Sequence, residues 1–489
     1  MKDELDDTNP FKQINFNDPK NNDNDKNNLL NEFMNENKNK CKIIINLNWK
    51  KNKLCILISI IISIIIIAIL IIILLLIPKN NIINKIFKKK NNTLKLIYYT
   101  SEEQTDFTLF SPSILSNILS LEIDGKIIEE INNYYIFNSP GEHKIIIKLK
   151  NNLISLFDLF NNNTYLIEAD FSDVESKNIN DTSRMFYKCI NLLSINLANF
   201  NSPSLLNISK MFFGCQSLTS IDLTYLDTSK VIDGSNLFSG CYNLENIDLN
   251  NFSTENMENM EGMFSSCVAL KNIDLKNFKT SKVTDMSKMF YRCYSIQSLD
   301  LSNFDTEKVT NMESMFNFCT SLDNLNLENF DVSKVTNMSN MFSSCHMMKN
   351  IKLWSYVTTS VINLDNMFKG CANLQELNLK SFRTKNVISM SMMFYGCQSL
   401  TSLDLSNFHT PKVENIGGIF GKCTNLKIVD MKNFESNKLN IKSNLFIEVP
   451  DEGTVYFNSK IFDENLLKYK SIKNWNKIDI AKAKTNKDK

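Results

Sequence analysis

Ten cysteines stand on a ruler. Cys189, Cys215, Cys241, Cys267, Cys293, Cys319, Cys345, Cys371, Cys397 and Cys423 follow one another at a constant interval of 26 residues, within a total of 12. A thiol can act as a nucleophile, ligate a soft metal or pair as a disulfide, and each use favours a spacing that this series lacks. There is no Cys-x-x-Cys pair, so zinc ribbons and thioredoxin-type redox sites have no support. Thiols in register on neighbouring strands point the same way, which suits disulfide geometry poorly. Small thiols do stack well at the ~4.8 Å separation of neighbouring strands. The series therefore reads as buried, free, structural cysteine, with Cys267, Cys293 and Cys319 typical of it.

Other chemistry is sparse. The three histidines, His143, His346 and His409, are scattered. There is no phosphate-binding Gly-rich loop, HExxH, GxSxG or EF-hand pattern. The single Asp-x-Asp, Asp23-Asn24-Asp25, lies in a polar tail. With cysteines in core columns and no nucleophile–base pair in sight, the expectation is no enzyme, no cofactor and no metal site. With 54 Lys+Arg against 53 Asp+Glu the net charge is +1, without the basic excess of a nucleic-acid binder.

Three surface features remain. Seven residues after the repeat Cys stand Asp222, Asp248, Asp274, Asp300, Asp404 and Asp430. This acidic column is a candidate for Ca²⁺ or a basic partner, but reads first as a solvated face, because Ca²⁺ wants about six to eight oxygens in a cage. A Lys column, Lys230, Lys282, Lys308, Lys334, Lys412 and Lys438, reads the same way. One repeat departs from the rest: it carries His346, Lys352, Trp354 and Tyr356, with Lys in the acidic column and Trp at an outward position. That composition suits a binding hot spot. Sequons occur at Asn91, Asn162, Asn180, Asn207, Asn251 and Asn337.

The elements that position these residues follow from the period. Three residues before every repeat Cys is Phe (Phe264, Phe290, Phe316 and seven more), and a second Phe column lies eleven after, as at Phe252, Phe278, Phe304 and Phe330. Apolar residues six and eight after the Cys fit one face of a short strand. Those at sixteen, nineteen, twenty-two and twenty-three after it fit one or two helical turns, with Thr228, Thr280 or Thr306 as N-cap. Each repeat thus predicts strand, turn, short helix, turn, and stacked repeats share a core. The expected fold is an α/β solenoid, a leucine-rich-repeat array of about eleven 26-residue repeats. A parallel β-helix is the alternative.

Leu54–Ile77 is an uncharged apolar run of 24 residues. At ~1.5 Å per residue it spans roughly 36 Å, against a hydrocarbon core of about 30 Å. It reads as an uncleaved transmembrane signal anchor. Lysines flank it equally, so charge leaves the direction open; a short tail, one anchor and a long folded part favour an extracellular or lumenal repeat domain. The expected organisation is a disordered tail (1–53), the anchor (54–77), a basic linker (78–93), a β-rich N-terminal cap (94–156), the solenoid (157–446), a C-terminal cap (447–480) and a disordered tail (481–489). In the first solenoid copy Asn163 stands in place of Cys; in the last, Phe446 is kept and Val449 replaces Cys.

The stretch Leu299-Asp300-Leu301-Ser302-Asn303-Phe304-Asp305-Thr306-Glu307-Lys308-Val309-Thr310-Asn311-Met312-Glu313-Ser314-Met315-Phe316 resembles the repeat of the BspA-like leucine-rich-repeat surface proteins, and Gly453-Thr454-Val455-Tyr456 with Trp475 resembles their closing segment. The resemblance covers roughly 160–480. It implies a cell-surface protein, with adhesion to host or matrix proteins in some members, no enzyme activity and no catalytic residue to carry over; the expected activity of this chain is binding to a protein or glycan. The alternative is a membrane-anchored scaffold with its repeats in the cytosol.

Overall fold

The computed structural model describes residues 90–102, 105–353, 356–435, 438–439, 444–468 and 472–485. The expected anchor at 54–77, the tail at 1–53, most of the linker at 78–93 and Trp354 lie outside the described residues. Among the described residues no helix is long and apolar enough to cross a membrane.

The chain opens with a β module. β1 (Thr93–Thr100), β3 (Ile118–Ile123), β4 (Lys126–Ile128), β6 (Gly141–Leu149) and β7 (Leu166–Asp173) form a sheet in the order β4-β3-β6-β1-β7, while β2 (Thr105–Thr108) and β5 (Tyr134–Phe137) pair separately. Alternation sets its inner face: Leu94, Leu96, Tyr98, Ile145 and Ile147 are buried while their neighbours in sequence are more exposed. β7 is antiparallel to β1 and parallel to the next strand, Ser194–Asn196, so it converts the module into the first rung of the solenoid. Asn163 explains its departure from the Cys column here. Its amide donates to Tyr98 Oη and to the Thr108 and Leu109 carbonyls, and its oxygen accepts from the Tyr165 and Leu166 N–H groups.

From there the chain is a β-solenoid of about twelve coils. Strands of two or three residues, such as Ser220–Asp222, Asn324–Asn326 and Ser402–Asp404, form a parallel strand face. On the opposite side the expected short helix is absent among the described residues. A second parallel ladder of single bridges runs there from Ser155 through Asp181, Asn207, Asp233, Asn259, Asp285, Asn311, Asn337 and Asn363 to Ser389 and Asn415.

The reason is in the hydrogen bonds. In a helix each N–H bonds the carbonyl four residues back within its own segment. Here alternate N–H groups leave the coil: Met312, Ser314, Phe316 and Phe318 donate to the carbonyls of Asn337, Ser339, Met341 and Ser343 in the next coil. Those between, Met315, Asn317 and Cys319, close turns onto the carbonyl three residues back. Two residues per coil also take positive φ, as Ser314 (56°) and Phe318 (63°) do, and no helix survives that. The apolar spacing of three, three and one that suggested a helix is also the spacing of successive turns. Thr280 is correspondingly no N-cap: its hydroxyl donates to the Asp305 carbonyl of the next coil (2.8 Å) and accepts from the Asp305 N–H (2.8 Å).

The core is a set of stacked columns. Twelve Phe rings from Phe160 to Phe446 form a spine. Successive centroids lie 5.5–6.2 Å apart through Phe420, with Phe264, Phe290 and Phe316 within 10° of parallel to one another, and Phe446 closes at 5.0 Å. The second column stacks as well, for example Phe278 on Phe304 at 6.3 Å and Phe304 on Phe330 at 6.4 Å. At the far end Trp475 packs 5.3 Å from Phe446 and donates its indole N–H to the Pro450 carbonyl (2.8 Å). Strands Thr454–Phe457 and Asn476–Asp479 extend the parallel sheet. The tail expected to be disordered begins as a helix, Ile480–Thr485: Asp479 accepts from the Ala481 N–H and Ala and Lys favour the state.

Candidate functional site

The ten cysteines are buried and free. Each Sγ donates to a Phe carbonyl of the preceding coil at 3.0–3.3 Å, Cys293 to Phe264 and Cys319 to Phe290 among them. The same carbonyls accept the Cys N–H of their own coil, or at Phe160 the Asn163 N–H, so the thiol fills a second lone pair. Burial pushes every one of these thiols up, Cys241, Cys293, Cys371 and Cys423 to about 12. At neutral pH they are protonated and out of reach, so they neither attack nor ligate.

The acidic column lies on the strand face, exposed, and its carboxylates work within the fold. One oxygen of Asp222, Asp248, Asp274, Asp300 or Asp404 accepts the N–H two residues on, closing an Asx turn as the chain leaves the strand. Hydrogen bonds from the side chain and N–H of Thr224, Ser302 and Ser406 hold Asp222, Asp300 and Asp404 below the ordinary carboxylate value, and Lys276 does the same for Asp274. Among the described residues no cluster of His, Cys, Asp or Glu has the arrangement of a metal site.

Of the residues expected to form a hot spot, Trp354 lies outside the described residues; His346 and Lys352 are exposed and Tyr356 is buried. His346 is exposed, and its carbonyl accepts from the Asn373 amide. Lys352 is exposed on the strand Asn350–Lys352 and pairs with Glu328 at 3.6 Å. Tyr356 corrects the reading: it is fully buried in the second Phe column, 6.3 Å from Phe382, with its hydroxyl unpartnered among the described residues. An aromatic in an aromatic column goes inward.

Two further columns escaped the sequence reading. Asp181, Asn207, Asp233, Asn259, Asp285, Asn311 and Asn337 close Asx turns on the second ladder. Asn277, Asn303, Asn329 and Asn407, ten after the Cys, donate to carbonyls of the coil before. The Asn that stands ten after the Cys in seven of the ten repeats was the available signal; the general abundance of Asn masked it.

The strand face is not continuous. Strands Ser298–Leu299, Asn324–Asn326 and Asn350–Lys352 form one segment, and Ser402–Asp404, Ile428–Asp430, Thr454–Phe457 and Asn476–Asp479 another. Between them, the coil at 375–380 touches the first segment through a single bridge, Asn350 to Glu376, and among the described residues no ladder joins it to Ser402–Asp404. A groove of about 840 Å³ opens at that break, lined by Gln375, Glu376, Leu377, Asn378, Ser402 and Asp404 among others.

Three stretches, residues 154–274, 266–377 and 347–452, match the family described as "Mycoplasma protein of unknown function, DUF285". The chain belongs to that family. The DUF285 matches begin in the coil of Asn163 and run through the last full coil, so they fall on the solenoid described above. Among curated proteins none matches. A solved structure titled "Crystal structure of TLR13-ssRNA13 complex" aligns with 61% of this chain and 50% of that chain, at 15% identity and a TM-score of 0.18. The DUF285 chain thus covers about half of that chain's length, and so slight a likeness carries no argument about fold or ligand.

Proposed function

We propose that this chain is a non-enzymatic, single-pass membrane-anchored binding protein that presents its strand face outside the cell, to a protein or glycan ligand. The observation that carries the reading is where the reactive groups go. The cysteines are spent inside the core, and the strand-face carboxylates close turns. What remains is a rigid face of exposed polar side chains, a display surface of the kind stacked repeats provide. The apolar run Leu54–Ile77 supports the anchor, and the resemblance to BspA-like surface proteins supports the outside placement.

One observation favours a second reading. Ten free thiols are unusual in an oxidising compartment, which suits a membrane-anchored scaffold facing the cytosol. Their burial weakens that argument without removing it. The deciding experiment adds protease to intact cells that express the full chain with a C-terminal tag. Loss of the tag without lysis is the expected result; a tag protected until the membrane is permeabilised would assign the repeats to the cytosol.

A further inference from the structure

One break in the strand face, that at 375–380, has the chemistry of a particular ligand. Six residues after the Cys the side chain is covered in some coils, Leu325 being 1% exposed and Leu403 2%, and only partly buried in others, as at Ile195, Ile247 and Ile273. Leu377, at the break, is only partly buried and lines the groove. The groove therefore has an apolar floor. Its walls are amides and hydroxyls: Gln375, Asn378 and Asn425, with Ser399, Thr401 and Ser402. Amide and hydroxyl side chains each both donate and accept. The charged groups, Glu376, Asp404 and Lys380, are of mixed sign, and Asp404 already accepts from the Ser406 N–H. The volume of about 840 Å³ falls within the range of roughly 300–1,000 Å³ typical of ligand clefts.

We propose that this groove binds an oligosaccharide. A pyranose ring has the matching two-sided character: C–H groups across its faces for Leu377, and hydroxyls around its rim that donate and accept as the wall residues do. A peptide strand fits less well. It would have to enter between the coils at 375–380 and 401–405, and pairing on both sides would need about 9–10 Å between them. The opposite side holds those coils in consecutive register through the bridges Asn363 to Ser389 and Ser389 to Asn415. The proposal rests on the reading of the chain as a binding protein, and it adds the site and the ligand class.

The test presents immobilised neutral and N-acetylated tri- to hexasaccharides to the full chain in detergent, alongside an array of extracellular-matrix proteins. Four chains are compared: wild type, Gln375→Ala, Ser402→Tyr, which fills the groove, and Asn324→Tyr, which places the same bulk at the equivalent position of a strand paired on both sides. The expected result is retention of at least one oligosaccharide series, weakened tenfold or more by Ser402→Tyr and measurably by Gln375→Ala. Asn324→Tyr should leave it unchanged, and all four proteins should share one melting temperature. Retention of sugar that is indifferent to Ser402→Tyr overturns the groove as the site. Retention of protein ligands alone overturns the oligosaccharide while leaving the binding reading in place, and if Ser402→Tyr abolishes it the groove belongs to a polypeptide. Retention of nothing on either array overturns both.

Discussion

At the scale of the residue, the cysteine column links stability to pH. Each thiol is held protonated in the folded chain, with a value of about 12 for Cys241, Cys293 and Cys371 against 9.0 for a free thiol. A group whose value is raised by folding contributes its full stability below the unfolded value and loses it as pH rises toward the folded one. The window therefore opens near pH 9 and extends to about 12. One pH unit above the unfolded value, each thiol withdraws about 1.4 kcal/mol. Urea midpoints should fall steeply from about pH 8.5 to 10, with Cys293→Ala showing a slope shallower by one proton; equal slopes for the two proteins would place that thiol in contact with solvent. Tyr356 makes a prediction of opposite sign. Its buried hydroxyl lacks a partner among the described residues, and leaving such a group unsatisfied costs about 1–3 kcal/mol. Tyr356→Phe should raise stability by about 1 kcal/mol in chemical denaturation, and a destabilised variant would reveal a bound water or ligand at that hydroxyl. The two residues also mark what the sequence made legible. Cys293 was placed correctly because a strict period with no metal or redox spacing leaves burial as its use. Tyr356 is harder to place, because its unusual neighbours suggest a surface site while its position in the second Phe column sends it inward.

At the scale of the element, one coil is held to the next by the Phe spine and by the inter-coil hydrogen bonds, and the two can be separated. Phe290 stacks between Phe264 and Phe316 at 5.8 and 5.9 Å. Phe290→Ala should cost about 3–5 kcal/mol, with faster amide exchange concentrated in those two neighbouring coils. An unchanged melting curve would mean that the rings carry no packing energy. Thr280→Val keeps volume and removes both bonds to Asp305, leaving a backbone N–H and a carbonyl short of their partner. The loss should be about 1–3 kcal/mol, and Thr280→Ser should restore most of it; equal stability of the Val and Ser variants would show the hydroxyl to be idle. This element is where the sequence misled. A threonine before a run spaced three, three and one looks like a capped helix, because helix and serial turns share that period over so short a stretch. What distinguishes them is the positive φ at Ser314 and Phe318, and neither residue type announces it. The break at Leu377 was equally hidden, since its apolar and polar pattern matches that of the paired coils.

At the scale of the whole molecule, a stack of open strands must end without inviting another stack. The N-terminal end is managed by a change of pairing direction: β7 takes the first coil on one side and antiparallel β1 on the other. The C-terminal end is managed by cover. Phe446 is the last ring of the spine, and Trp475 lies against it with its N–H tied to Pro450. Beyond it, strand Asn476–Asp479 pairs with Thr454–Phe457, and the helix Ile480–Thr485 follows directly. An unpaired parallel strand and a bare aromatic ring together form a template for association, and covering such an edge is how repeat proteins stay soluble. Trp475→Ala should therefore do more than lower stability. It should uncover the Phe446 end of the spine and loosen the last strand, so that the full chain in detergent forms higher oligomers as concentration rises. Light scattering across a tenfold concentration range would detect them, with wild type unchanged over the same range. If the variant is less stable but keeps the wild-type mass throughout, Trp475 serves packing alone, and protection of the stack's end falls to the closing strands and the helix.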